Sequence, residues 1–282
     1  MDFFLSLLIP ALVGLCVGIF SGMLGVGGGT ILVPVFRLFF GMSPISAVAT
    51  SLFTIIPTSL TGAISHIRQK TLHISLGVIL GVSGAFFSPL GVWLASISPP
   101  WMVILAVSVI IIYSGVSMFK KALQLKPHKE KQARHTEKEE GAKVETEIYD
   151  PFSSKKLNRT QYLIAILSGF IAGFASGYVG VGGGFIMVPL MVIFLGVPMK
   201  KASGTSLIAV STLAIPGVIE HAMLGNIDFV AGLMVALGSM PGAIVGARLL
   251  RIIPERSLRF LFSGLLVVAA FLLVYKEYIS IG

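Results

Sequence analysis

Polar residues are so sparse along most of this chain that the predicted elements are read from the gaps between them. Apolar runs cover residues 3–24, 45–65, 72–96, 101–119, 161–179, 202–222, 227–250 and 258–275, and most are long enough to cross a hydrocarbon core of about 30 Å. They are rich in Gly and Leu and lack the short alternation of an outer-membrane barrel, so each predicts a helix. The predicted fold class is all-α, a polytopic membrane helical bundle. The first run opens Met1-Asp2-Phe3-Phe4, with no basic n-region and no small-residue cleavage site, and reads as a retained membrane segment. One stretch breaks the pattern: residues 120–160 carry dense mixed charge, such as Lys120-Lys121, Glu137-Lys138-Glu139-Glu140 and Lys155-Lys156. It reads as a solvated connector between two apolar halves.

The halves repeat each other. Gly22-Met-Leu-Gly25-Val-Gly27-Gly28-Gly29 with Pro34 returns as Gly177-Tyr-Val-Gly180-Val-Gly182-Gly183-Gly184 with Pro189, 155 residues later. At the same offset Ser21 matches Ser176, Thr50-Ser51-Leu52 matches Thr205-Ser206-Leu207, His66 matches His221, and Gly91 matches Gly246. The reading is a duplication: a first transmembrane repeat at 1–121, a charged cytoplasmic linker at 122–160, and a second repeat at 161–282. Paired, interrupted hydrophobic segments in corresponding halves point to a transporter's binding site.

Composition removes other classes. Hydrophobic residues make up 55% and charged residues 12% of the 282-residue chain, where soluble domains carry roughly a quarter charged residues. A net charge of +9 suggests nucleic acid until its location is considered. The basic residues lie at membrane edges and in the linker, so topology explains them and no nucleic-acid partner is expected. The partner is the lipid bilayer. Cys16 stands alone, which excludes an intrachain disulfide and a cysteine-based metal cluster. No Walker motif is present, so energy should come from a gradient, and neither a cofactor nor a metal is expected.

Charge also sets the orientation. If each repeat is a glycine-broken helical hairpin followed by three transmembrane helices, the second copy is inverted. One face then collects Arg68, Lys70, the linker, Lys200, Lys201, Arg248, Arg251, Arg256 and Arg259. A single crossing at the glycines would instead split these residues between faces, against the positive-inside rule. The hairpin reading places the linker in the cytoplasm and both termini outside, although the piece from Thr30 to Phe40 is short for a full crossing.

Chemistry concentrates at the glycines. Gly25, Gly27, Gly28 and Gly29, like Gly180, Gly182, Gly183 and Gly184, would each cost a helix interior about 1 kcal/mol, so the helix should stop there. Free backbone groups at membrane depth must be enclosed by protein or line a cavity, so the two breaks should face each other inside the bundle. A helix restarting near Thr30 or Phe185 would expose N–H groups and a positive dipole end, with Pro34 and Pro189 near its first turn. That arrangement suits a small oxyanion; the alternative is that the glycines only let helices pack, as in Gly14-xxx-Gly18 and Gly169-xxx-Gly173. Thr50, Ser51, Thr205 and Ser206 place hydroxyls in the following helix, as ligands or as interhelical glue. His66 and His221 lie at equivalent helix ends, where a proton could couple or an interfacial side chain could anchor. Arg37 reads as an edge residue reaching for water.

The run Ser21 to Gly29 with Val33-Pro34, its copy from Ser176 to Pro189, and the Ala-x-x-Thr-Ser motifs resemble the TauE/SafE sulfite exporter family of bacterial membrane proteins. The resemblance implies a multi-pass plasma-membrane permease, of bacterial inner-membrane type, for sulfite- or organosulfonate-type anions. Other readings compete: a permease for another small anion or for a metal cation, the latter using the histidines and Glu220 and disfavoured by the scarcity of intramembrane carboxylates, and an intramembrane hydrolase pairing Ser21 or Ser176 with His66 or His221.

Overall fold

A computed structural model describes residues 2–124, 159–179 and 182–281. The charged connector between residues 125 and 158, together with Gly180 of the second glycine run, lies outside the described residues. Those described form ten helices and no strand: α1 (Asp2–Leu24), α2 (Gly29–Leu38), α3 (Pro44–Arg68), α4 (Ile74–Ile97), α5 (Pro100–Gln124), α6 (Arg159–Val179), α7 (Gly184–Phe194), α8 (Met199–Met223), α9 (Phe229–Ile252) and α10 (Glu255–Ile281). The starts of α7, α8, α9 and α10 each fall 155 residues after those of α2, α3, α4 and α5.

Five of the described helices (α3, α4, α6, α8 and α9) are long and apolar enough to cross a membrane. In the most apolar windows of α3 and α8, 61% and 67% of residues are buried, against 33% for α4, which makes α3 and α8 the centre of the bundle. Large apolar side chains such as Phe86, Trp93, Leu233 and Leu237 are exposed on the outer helices. In water such surface would aggregate; in a bilayer it is the lipid face.

Close backbone approach holds the outer helices on. Cβ atoms built on Gly14, Gly18 and Gly22 of α1 would fall 2.2, 2.1 and 2.1 Å from the carbonyl oxygens of Val235, Ser239 and Ala243 in α9. Gly238, Gly242 and Gly246 return the contact against Ala11, Leu15 and Ile19. The same zipper joins α6 to α4, where Gly169, Gly173 and Gly177 meet Leu80, Gly84 and Ser88. Lipid tails are as apolar as leucine, so van der Waals packing and interhelical hydrogen bonds drive association here. The first helix of each half therefore packs on the fourth helix of the other half.

These contacts also give direction. Thr50 lies beside Asp228, Thr58 beside Ser239 and Gln69 beside Arg251, so α3 and α9 run together, and α1 follows α9. Gly77 meets Thr205 and Gly84 meets Leu213, so α4 runs with α8, and α6 follows α4. At the centre His66 touches Gly204 while Leu52 touches Gly217, so α3 and α8 are antiparallel. Thus α1, α3 and α9 point one way, and α4, α6 and α8 the other.

Two hydroxyls brace the exchange between halves. Thr50 Oγ1 accepts the Asp228 N–H at 3.0 Å, at the start of α9, and Thr205 Oγ1 accepts the His73 N–H at 2.9 Å, at the start of α4. Each satisfies a backbone donor at a helix end. Thr54 adds a bond to Gly232 O at 3.2 Å, and Ser263 joins α10 to α5 through Gly115 O at 2.8 Å.

Candidate functional site

Both glycine runs interrupt their helices. Gly25, Gly27, Gly28, Gly182 and Gly183 have φ of 73°, 76°, 88°, 77° and 68°, a left-handed conformation that costs other L-residues roughly 1–2 kcal/mol each. After α1 ends at Leu24, the chain passes Ser203 and Ser206 at Gly25, and reaches Ile55, midway along α3, at Gly27. At Gly28 it doubles back beside Val17 and Ser21. The ten residues of α2 then span about 15 Å and end where α3 begins, so this arm returns across only half of the bundle.

The two breaks meet. A Cβ on Gly184 would stand 2.7 Å from both Gly25 O and Val26 O, so backbone lies against backbone with no side chain between. Gly28 and Gly183 are the left-handed N-caps of α2 and α7, whose first turns start at this meeting point. Some predicted donors are already engaged: Gly25 N–H bonds Ser21 O at 2.8 Å and Gly184 N–H bonds Gly182 O at 2.9 Å. The N–H groups of Gly27, Gly28, Gly182 and Gly183 make no backbone hydrogen bond among the described residues. Pro34 and Pro189 sit in the second turn of α2 and α7 rather than the first, because each helix starts earlier than its proline suggests. Proline has no N–H, so the Thr30 and Phe185 carbonyls lack their usual helical donor.

The buried side chains of the bundle are unusual in what they leave unpaired. Among the described residues, four buried hydroxyls have no hydrogen-bond partner: Ser21, Thr30, Ser51 and Ser176. All four are at most 1% exposed. The Cβ of Ser21 lies 3.7 Å from a Cβ built on Gly28, that of Ser176 lies 3.2 Å from one built on Gly183, and Thr30 is in the first turn of α2. An orphan buried hydroxyl costs about 1–3 kcal/mol, and native proteins keep few of them. Ser206 differs from its counterpart Ser51 in sharing its one hydroxyl proton between Gly25 O at 2.5 Å and Ser203 O at 2.8 Å. Ser21, Ser176 and Thr30 lie outside the candidate set that the sequence offers, although the match of Ser21 with Ser176 beside each break is visible there.

Other candidates lie elsewhere. Thr50 and Thr205 face the starts of α9 and α4. His66 is fully buried, with Nε2 2.9 Å from Gly22 O and Nδ1 2.7 Å from Thr71 Oγ1; it ties α1 to the end of α3 and is no interfacial anchor. His221 is 7% exposed and sits 3.4 Å from Asn226 Nδ2, at the opposite end of the antiparallel pair. Neither histidine hydrogen-bonds the unpartnered serine of its half. Arg37 is 9% exposed, buried at the end of α2 rather than extended into water. Among the described residues no three His, Cys, Asp or Glu side chains converge on a point that could hold a metal ion.

A multi-pass helical bundle with two interrupted helices whose breaks meet inside it is an arrangement that membrane permeases use. The Sulfite exporter TauE/SafE family model matches residues 10–273, and the chain belongs to that family. It is 26% identical to the probable membrane transporter protein YunE of Bacillus subtilis, over 98% of this chain and 100% of that one. It is 28% identical to YdhB of the same organism, also a probable membrane transporter protein, over 94% and 98% of the two chains. A probable membrane transporter protein of Methanocaldococcus jannaschii is 24% identical over 97% and 98%. No solved structure gives a significant match. The protein is a multi-pass transporter of the cell membrane.

Proposed function

We propose that this protein is a secondary transporter of a small sulfur-containing oxyanion, of sulfite or organosulfonate type. It works by alternating access around the two glycine breaks. The observation that carries this reading is the unpartnered hydroxyl pair, Ser21 and Ser176, buried beside the breaks where two helices start. Hydroxyls alone would suit a cation or an anion. Helix N-termini tip the balance, since their partial positive charge and unpaired N–H groups favour anions. The proposed ligand set is Gly27, Gly28, Gly182 and Gly183 through the backbone, with Ser21, Thr30, Ser51 and Ser176 through hydroxyls. In this reading Thr50 and Thr205 brace the scaffold. Sulfur comes from the family's description alone.

Two inverted repeats, 1–121 and 161–282, fit the opposite directions of α1 and α6. Arg251 Nη2 donates to Gln69 O and Lys200 Nζ to Arg251 O, which supports one basic face at the ends of α3 and α9 and the start of α8. The positive-inside rule makes that face, and the linker at 122–160, cytoplasmic. With Cys16 removed, a cysteine at Ile279 should label from outside the cell and one at Thr136 should not; the reverse pattern rejects the orientation.

Transport itself is tested in proteoliposomes offered sulfite, sulfate, thiosulfate, sulfoacetate, taurine and divalent metals, without ATP. Saturable flux of a sulfur oxyanion or sulfonate is expected. Saturable metal flux with no anion flux would contradict the proposal.

A further inference from the structure

Ile55 and Val210 hold the same place in the two halves, and both are fully buried. A Cβ on Gly27 would lie 2.5 Å from Val210 Cγ1 and 3.4 Å from Ile55 Cγ2. A Cβ on Gly182 would lie 2.7 Å from Ile55 Cδ1 and 3.6 Å from Val210 Cγ1. Each side chain therefore touches both breaks, at the level where α3 and α8 pass in opposite directions. The glycine zippers bind α1 to α9 and α6 to α4, whereas the α3–α8 crossing around these two residues is made with side chains.

We infer that Ile55 and Val210 are the gate and the size filter of the transport path. The inference rests on the proposed reading that the breaks hold the transported anion. Two β-branched side chains have few rotamers to escape into, so they move with their helices rather than independently. An apolar constriction stops a hydrated ion without any polar latch. An anion bound beside one break reaches the opposite face only when α3 and α8 slide far enough to part the pair. Because the bulk of Ile55 and Val210 stands directly against Gly27 and Gly182, it also limits the organic group that a sulfonate can carry past them.

The test compares wild type with Ile55→Ala, Val210→Ala and the volume-shifting pair Ile55→Val and Val210→Ile, all in proteoliposomes. Flux is measured for sulfite, methanesulfonate and butanesulfonate, with anion-dependent thermal stabilisation read on the same preparations. Trimming either residue should raise the butanesulfonate-to-sulfite flux ratio by on the order of tenfold, the range that single methylenes command in a shaped apolar pocket. Val210→Ile should lower it. If the alanine variants do not fold, the shift between Ile55→Val and Val210→Ile carries the same decision. An unchanged ratio with anion stabilisation intact overturns the gate and leaves the site standing. Absence of anion stabilisation in wild type removes the site reading, and the gate with it.

Discussion

Glycine is used in two ways in this chain. In the stripes of α1, α4, α6 and α9 it sits in ordinary helix, and what matters is the missing Cβ: partner atoms, mostly backbone, lie closer to where that atom would be than real Cβ contacts allow. At the breaks the backbone is left-handed, and glycine is the residue that tolerates it. Stripe glycines set how close two helices come, and so they are worth stability. Break glycines set where helices stop and which N–H groups lack a backbone partner among the described residues, and so they matter for the proposed site. The lesson is that Gly→Ala at a break cannot isolate ligand binding, since it strains the backbone whatever the ligand does; the hydroxyls beside the breaks are the cleaner probe.

That contrast can be broken by substitution. The largest effect is expected from Gly18→Leu or Gly173→Leu, which drives a side chain into the backbone of Ser239 or Gly84. Neither should yield a monodisperse, folded protein by size-exclusion chromatography in detergent. A leucine accepted there with normal melting would mean the helices are not in backbone contact. A smaller effect is expected from Thr50→Val and Thr205→Val. Each leaves a helix-start N–H without its acceptor at a cost of about 1–3 kcal/mol, so both should lower the melting temperature by a few degrees while leaving anion-dependent stabilisation intact. A selective loss of anion stabilisation in either would return these threonines to the ligand set. The smallest effect is expected outside both regions: replacing residues 128–150 by a Gly/Ser chain should leave flux within a few-fold of wild type. Abolished flux in protein that still reaches the membrane would make the linker part of the machinery.

Much of this organisation is legible in the sequence, because it follows from backbone chemistry. Runs such as 45–65 and 202–222 are long and apolar, and four glycines in five residues do not continue a helix, so α3, α8 and both breaks are readable before any coordinates. Partners are less readable. Gly14-xxx-Gly18 announces a packing face without saying that α9, from the other half, fills it, since any small-residue face would serve. Thr50 and Thr205 show a hydroxyl but not the N–H they serve, which lies 178 and 132 residues away. His66 looks interfacial by position along α3, yet Gly22 O and Thr71 enclose it, because α1 ends near the same level. Ile55 and Val210 read as ordinary core residues, and only the meeting of the two breaks gives them a special place.

The central claim is that the hydroxyls beside the breaks hold an anion, and the most direct measurement is the anion-dependent melting shift of Ser21→Ala, Ser176→Ala and the double variant. Removing an unpartnered hydroxyl relieves a cost, so the apo proteins should melt at or slightly above the wild-type temperature. Stabilisation by sulfite or a sulfonate should weaken in each single variant and vanish in the double. Double-variant protein that keeps the full wild-type anion shift would contradict the account and leave the two serines as packing residues.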